Sequence, residues 1–174
     1  MKKPEALSVS IGVLGAVDTF VTATLIPVPV WVTFIAWASF VVVGGGRRGW
    51  VQSLACNGTG IVIASLTLLV IALSSAGAVG AAVLVGLGSA AMVQASKVPL
   101  LAPTPAIVWG FASLVGTTFA TGVPITTLGL NNPLLVAALA MLIGASFGFA
   151  AEAFARVLEK GRPPAVVEEA PRPT

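Results

Sequence analysis

Two polar side chains lie inside long apolar runs, and they are the residues best placed to do chemistry. Asp18 is the only carboxylate near the middle of such a run. A charged carboxylate in membrane hydrocarbon costs at least a few kcal/mol, so we expect it to be protonated, hydrogen-bonded or facing a water-filled cavity. It could line a pore or couple transport to protons. It could equally be an acid bonded to Ser, Thr or backbone groups.

Asn57 is the second such residue, and it lies early in the third apolar run together with Gly58 and Gly60. An amide carries donors and an acceptor without charge, so it can replace water around a neutral polar solute. It can equally hold two helices together. The nearby glycines suit a close approach of backbones or a broken helix. Both roles stay open at this point.

Four more residues complete the candidate pore. Thr104 would add a polar contact, and the aromatic side chains of Trp37, Trp109 and Phe111 would set the bore. A few fixed dipoles inside an apolar constriction can replace the hydration of a small solute. The alternative role for the aromatic residues is packing inside a helix bundle.

Composition argues against other kinds of chemistry. The chain has one cysteine, no histidine and no tyrosine, so histidine relays are excluded and no metal-ligand spacing exists. We therefore predict no catalytic residue, no metal and no cofactor, and a membrane enzyme is the least favoured class. The net charge of +3 does not indicate nucleic acid, because the basic residues stand beside apolar runs, where they meet anionic lipid headgroups.

Six apolar runs position these residues. Because 57% of the chain is hydrophobic and only 9% is charged, a soluble domain would have too little polar surface. We predict an all-α, polytopic membrane bundle of six transmembrane helices, with broken or re-entrant segments near Asn57 and Pro103. The six predicted spans are Leu7 to Ile26, Val30 to Val43, Ser53 to Leu73, Ala76 to Ala95, Pro103 to Ala120 and Pro133 to Leu158.

The positive charges predict an orientation for this bundle. Lys and Arg precede the first run and follow the second, fourth and sixth runs, whereas the other connections carry none. This is the positive-inside pattern of a protein with both termini in the cytoplasm. Residues 1–160 form the predicted membrane domain. Residues 161–174, rich in Pro and Glu, form a predicted disordered cytoplasmic tail.

Small residues recur at steps of four in several runs, most clearly at Gly144 and Gly148 in the sixth. Small residues let helix backbones approach closely, and dispersion then replaces the hydrophobic drive that lipid removes. Such a stripe could pack the helices of one chain, or it could join two chains in a homo-oligomer.

Several stretches together resemble a known family. They are Trp31-x-x-Phe34-x-x-Trp37-Ala38-x-Phe40, Ser53-Leu54-x-x-Asn57-x-x-Gly60, Met92-Val93-Gln94-Ala95-Ser96-Lys97 and Trp109-Gly110-Phe111-Ala112. Their spacing and order are similar to the DUF1097 family of small bacterial inner-membrane proteins, over roughly residues 8 to 155. The resemblance implies an architecture and a bacterial origin, and little about mechanism.

A fainter similarity is to one repeat of urea transporters. It rests on Cys56-Asn57-Gly58 and on the proline-rich stretch from Val98 to Pro105. This similarity implies that one repeat-sized chain could be a half-transporter that completes its pore by oligomerising.

These observations predict a multi-pass protein of the bacterial inner membrane. We expect a channel or transporter for a small polar solute, such as urea, an amide or a short organic acid, that works as a homo-oligomer in the lipid bilayer. The alternative is a non-transporting structural or partner-binding subunit of a membrane complex.

The predicted topology can be checked with reporter fusions. Fusions in the Arg47–Arg48 turn should report the cytoplasm, and fusions in the Asn131–Asn132 turn should report the opposite side, because an odd number of predicted spans separates the two turns. A reporter that is active on one common side at both turns would contradict six crossings.

Overall fold

The computed structural model describes residues 1–160, and within them the chain forms six α-helices joined by short connections. A single 3-10 turn, Pro99–Leu101, lies between the fourth and fifth helices. The helices are α1 (Lys3–Thr24), α2 (Val30–Val42), α3 (Gly46–Ser74), α4 (Ala78–Ala95), α5 (Thr104–Thr121) and α6 (Pro133–Lys160). The predicted all-α class and the order of the six helices are confirmed. The predicted tail, 161–174, lies outside the described residues.

Four of these helices, α1, α3, α4 and α6, are long and apolar enough to cross a membrane. The apolar helix α2 has 13 residues, and α5 has 18. An α-helix rises 1.5 Å per residue, so α2 covers about 20 Å, less than a full hydrocarbon core. The chain is therefore a helical membrane protein, and its six crossings stay a prediction.

The predicted break near Asn57 is wrong, because α3 runs without interruption from Gly46 to Ser74. Gly60 leaves room for a neighbouring helix there and does not bend its own. Near Pro103 the chain does leave the helix, through the 3-10 turn and into the first turn of α5. That segment connects two helices, and a re-entrant path through a membrane stays a prediction. The N-terminal end of α3 also starts earlier than predicted and includes Arg47 and Arg48.

Two helices form the centre of the bundle. α6 contacts α1, α2, α3 and α5, while α3 contacts α2, α4, α5 and α6. The most extensive contacts join α3 to α5 and α2 to α6, so helices far apart in sequence are neighbours. α1 and α4 lie at the periphery.

Three segments meet at one end of this bundle. The Met1 amino group donates to the Leu158 carbonyl at 3.3 Å, and the Gly46 amide donates to Glu152 Oε2 at 2.6 Å. The start of α1, the α2–α3 turn and the end of α6 therefore lie together. This arrangement is compatible with the predicted topology, and which side of a membrane this end faces stays a prediction.

Glycine makes the main helix contacts possible. A Cβ atom on Gly144 of α6 would overlap the Thr33 carbonyl oxygen of α2, and one on Gly60 of α3 would overlap the Ile107 carbonyl oxygen of α5. A Cβ atom on Gly148 would lie 2.9 Å from the Phe40 ring and 3.0 Å from the Trp37 ring. Gly144 and Gly148 thus pack helices of the same chain, and an oligomer role for them stays a prediction.

The turn between α2 and α3 requires glycine for a different reason. Gly44, Gly45 and Gly46 have φ values of 101°, 67° and 64°. Residues with a Cβ rarely adopt this left-handed region, whereas glycine does so readily. The three glycines therefore let the chain reverse direction immediately before the basic first turn of α3.

A pair of glycine substitutions separates close packing from helix propensity. Gly144→Ala should lower the free energy of unfolding by about 1–3 kcal/mol, because the new methyl group would push α6 away from the α2 backbone. Gly86→Ala should raise it by about 0.5–1 kcal/mol, because that helical position is open and alanine favours the helix. Unfolding in detergent measures both changes. Equal changes in the free energy of unfolding would contradict the close contact between Gly144 and Thr33.

Candidate functional site

Asp18 links α1 to α2 in the interior of the bundle. Its side chain is fully buried, and the Thr33 hydroxyl donates to Asp18 Oδ2 at 2.6 Å. The other carboxyl oxygen, Oδ1, is buried without a hydrogen-bond partner among the described residues. Asp18 is therefore held by one oxygen and unsatisfied at the other.

The hydrogens around Thr33 indicate how this carboxyl is accommodated. Thr33 Oγ1 also lies 2.7 Å from the Val30 carbonyl oxygen, yet a hydroxyl carries only one hydrogen. The hydroxyl can therefore donate either to the Asp18 carboxyl or to the Val30 carbonyl, and the two acceptors share it.

A second polar group joins α2 to α3 and consists of Ser39, Ser53 and Asn57. Ser53 Oγ donates to Ser39 Oγ at 2.9 Å, Ser39 Oγ donates to Asn57 Oδ1 at 3.2 Å, and Asn57 Nδ2 donates to Ser53 Oγ at 3.2 Å. All three side chains are fully buried. In this closed ring the Asn57 amide holds two helices together. A pore-lining role for it stays a prediction.

Two hydroxyls on α5 lack such partners. Ser113 and Thr117 lie one turn apart, are fully buried, and have no hydrogen-bond partner in the part of the chain that the structure describes. Many other Ser and Thr side chains bond to a carbonyl four residues earlier in their own helix. Examples are Thr19, Thr22, Thr59, Thr67 and Thr118.

The predicted aromatic residues lie in several environments. Trp37 is buried and stacks on Phe34, with ring centroids 6.0 Å apart. Phe111 is buried and its ring lies beside Gly88 of α4. Trp109 is half-buried and borders the hydrophobic core. Their contacts are those of packed side chains.

Thr104 does not join Asp18 in one site. It is the first residue of α5, whereas Trp31, at the start of α2, contacts Gly116 near the other end of α5. At 1.5 Å per residue, Thr104 and Gly116 are about 18 Å apart. Asp18 is bonded to Thr33 beside Trp31, so Thr104 and Asp18 lie towards opposite ends of the α2–α5 pair.

Glu152 closes the end of the bundle where the chain termini of the domain meet. Its Oε2 accepts the Gly46 amide hydrogen, and its Oε1 pairs with Arg156 one turn later. A carboxylate at a helix N-terminus interacts favourably with the helix dipole. A groove of about 240 Å³ opens beside it, with Lys3 and Trp37 in its lining.

A protein-family model described as "Protein of unknown function (DUF1097)" matches residues 8–156. The match covers most of the chain, so this chain belongs to the DUF1097 family, and the resemblance seen in the sequence is confirmed. No curated protein and no solved structure matches it. The urea-transporter similarity and the bacterial inner-membrane location stay predictions.

The closed ring can be tested by removing its amide. Asn57→Ala should lower the free energy of unfolding by about 1–3 kcal/mol, because Ser39 and Ser53 would lose buried partners. Thr59→Ala is the matched control, since Thr59 bonds only to its own helix, and it should change stability by less than about 0.5 kcal/mol. Equal destabilisation by the two variants, measured by unfolding in detergent, would argue against the ring.

Proposed function

We propose that this protein moves a small polar solute across a membrane. The observation that carries the proposal is the unsatisfied Oδ1 of Asp18, buried inside an apolar helix. Ionisable groups at membrane depth are costly and are usually kept for function. A solute that donates to this oxygen would supply the missing hydrogen bond, and the carboxyl could also take up and release a proton during transport.

The interior chemistry limits the solute to small neutral molecules and short organic acids. The polar side chains buried in the described helices carry hydroxyls, one amide and one carboxyl. The described Lys and Arg residues lie at helix ends and connections. A permanently charged solute would therefore find little compensation inside the bundle. Urea, simple amides and short organic acids match the available dipoles.

Movement of helices is part of the proposed mechanism. α2 meets α6, and α3 meets α5, with backbone atoms so close that a methyl group would overlap them. A solute could pass along these seams only if the helices separate. This favours a carrier that opens and closes over a permanently open channel.

A homo-oligomer remains part of the proposal. Gly12 and Ala16 lie on an exposed face of α1 and line a shallow groove with Phe20 and Phe34, which suits close contact with a second copy. The competing function is a non-transporting subunit, which the largely exposed α4 would favour. Purification as a homo-oligomer would support the first, and co-purification with a larger complex would support the second.

The role of Asp18 can be tested in proteoliposomes with urea, acetamide and acetate as probes. Asp18→Asn keeps the shape and the bond to Thr33 but cannot exchange a proton, so we expect at least a tenfold loss of uptake with little change in thermal stability. Glu152→Gln is the matched control and should keep most of the uptake, because Glu152 lies at the end of the bundle.

Two outcomes would contradict the proposal at different levels. Normal uptake by the Asp18→Asn variant would remove Asp18 from the mechanism. Uptake by the wild type that does not exceed that of empty liposomes, for every probe, would remove the transport function itself.

A further inference from the structure

Two stretches of the chain, one in α2 and one in α5, have nearly the same sequence. Residues 36–41 read Ala-Trp-Ala-Ser-Phe-Val, and residues 110–115 read Gly-Phe-Ala-Ser-Leu-Val. Three positions are identical, and the others exchange a small, an aromatic and a bulky apolar residue for another of similar kind. Short apolar matches also arise by chance. The stretches are equivalent only if α2 and α5 make corresponding contacts with their neighbouring helices.

The helix contacts of the two stretches correspond. Thr33 and Ile107 are separated by the same number of residues as the two stretches, so they are equivalent positions. The Thr33 carbonyl faces Gly144 of α6, and the Ile107 carbonyl faces Gly60 of α3. α6 therefore packs on α2 through the same position that α3 uses to pack on α5.

The outer helices follow the same correspondence. α1 packs mainly on α6, and α4 packs mainly on α3. Ser10 of α1 donates to the Ala151 carbonyl at 2.7 Å, and Gly88 of α4 meets the Thr67 hydroxyl. Ala151 and Thr67 are separated by the same number of residues as the two packing glycines of α6 and α3. Helices α1–α3 and α4–α6 are thus two copies of one three-helix unit.

The two units run in opposite directions. Gly46 contacts Glu152, and Trp50 donates to Ser146 at 3.3 Å, so α3 and its counterpart α6 are antiparallel. Because each unit contains an odd number of helices, the second unit also starts at the opposite end of the bundle from the first. Inverted repeats of this kind build many transporters, in which the substrate site lies at the interface between the repeats.

Both antiparallel pairs locate the axis that relates the units. In the α3–α6 pair, the contacts of Gly46 with Glu152 and of Trp50 with Ser146 set an antiparallel register. This register places Asn57 opposite Met141, which is its counterpart in the second unit. In the α2–α5 pair, Trp31 contacts Gly116. The point at which a residue of α2 lies opposite its counterpart in α5 is therefore within about one turn of Gly110. The Asn57 carbonyl lies directly against Gly110, so both helix pairs place the axis at the same point in the interior.

Ser39 and Ser113 are counterparts on the two sides of this axis, and only Ser39 is satisfied. The amide and the hydroxyl that bond to Ser39 are replaced in the second unit by Met141 and Ala137. Ser113 Oγ is consequently buried with no partner in residues 1–160. A buried hydroxyl without a partner destabilises the fold. Ser65 and Thr117 are also without one, and Ser113 differs from both because it lies within one turn of the axis, where a bound molecule could supply the partner.

We propose that a small neutral solute with amide or hydroxyl groups binds at the axis of the inverted repeat, with Ser113 as its hydrogen-bonding contact. The assignment rests on the proposed transport function and names the site at which the solute is held. The described polar groups around the axis are hydroxyls and an amide, which match a neutral solute. Because the axis is tightly packed, the solute enters when the two units tilt apart.

The test uses the full chain in proteoliposomes, with urea, acetamide and glycerol as the probes of stopped-flow swelling. Ser113→Ala should lower the swelling rate at least tenfold for one or more probes, while the thermal unfolding midpoint stays equal or rises. Thr117→Val is the matched control, because Thr117 is equally buried and unpartnered but lies one turn further from the axis. It should keep the wild-type rate.

The outcomes separate this site from the proposed function. A wild-type rate in Ser113→Ala would overturn the site and leave transport standing. A lower rate accompanied by a lower unfolding midpoint would also overturn it, because the hydroxyl would then be structural, and so would an equal loss in Thr117→Val. A wild type that passes no probe would overturn both proposals.

Discussion

Lipid offers no hydrogen bonds, and this constraint governs the whole structure. Backbone polar groups inside hydrocarbon must be satisfied within the chain, which favours continuous helices. Helices in lipid then attract one another through close contact and internal polar groups, because hydrophobic burial drives them together only weakly. Glycine at the α2–α6 and α3–α5 contacts supplies the close approach, and the ring around Asn57 supplies polar contacts. Among the described residues, Asp18 Oδ1 and the hydroxyls of Ser65, Ser113 and Thr117 are buried without a hydrogen-bond partner.

Much of the fold could be predicted from the sequence, because apolar length and charge placement act locally. The runs gave the six helices in order, and prolines and glycines gave most boundaries. The error at Asn57 has a physical cause. Neighbouring glycines read as a break when the partner helix is unknown, yet Gly60 serves a close contact with Ile107. The early start of α3 is not evident from the sequence, because Arg47 and Arg48 beside three glycines are typical of a turn.

The candidate site was only partly predictable. Asp18 stands out by its charge, but its partner Thr33 depends on how α1 and α2 meet. Ser113 and Thr117 do not stand out in the sequence, because hydroxyls in apolar helices usually bond to their own backbone, and the sequence does not reveal which ones fail to do so. Their spacing of four residues was the only available signal. The contact of Glu152 with Gly46 joins distant segments and has no local signature.

The partner of α2 has a consequence for biosynthesis. This short helix packs mainly on α6, which the ribosome makes last. In the same way, α3 packs mainly on α5, which is made after it. During synthesis the early helices therefore lack their principal neighbours, and their close-packing faces, at Thr33 of α2 and Gly60 of α3, remain uncovered until the C-terminal half arrives. A fragment truncated before α6 would leave α2 without its main neighbour and open this face to quality-control proteases.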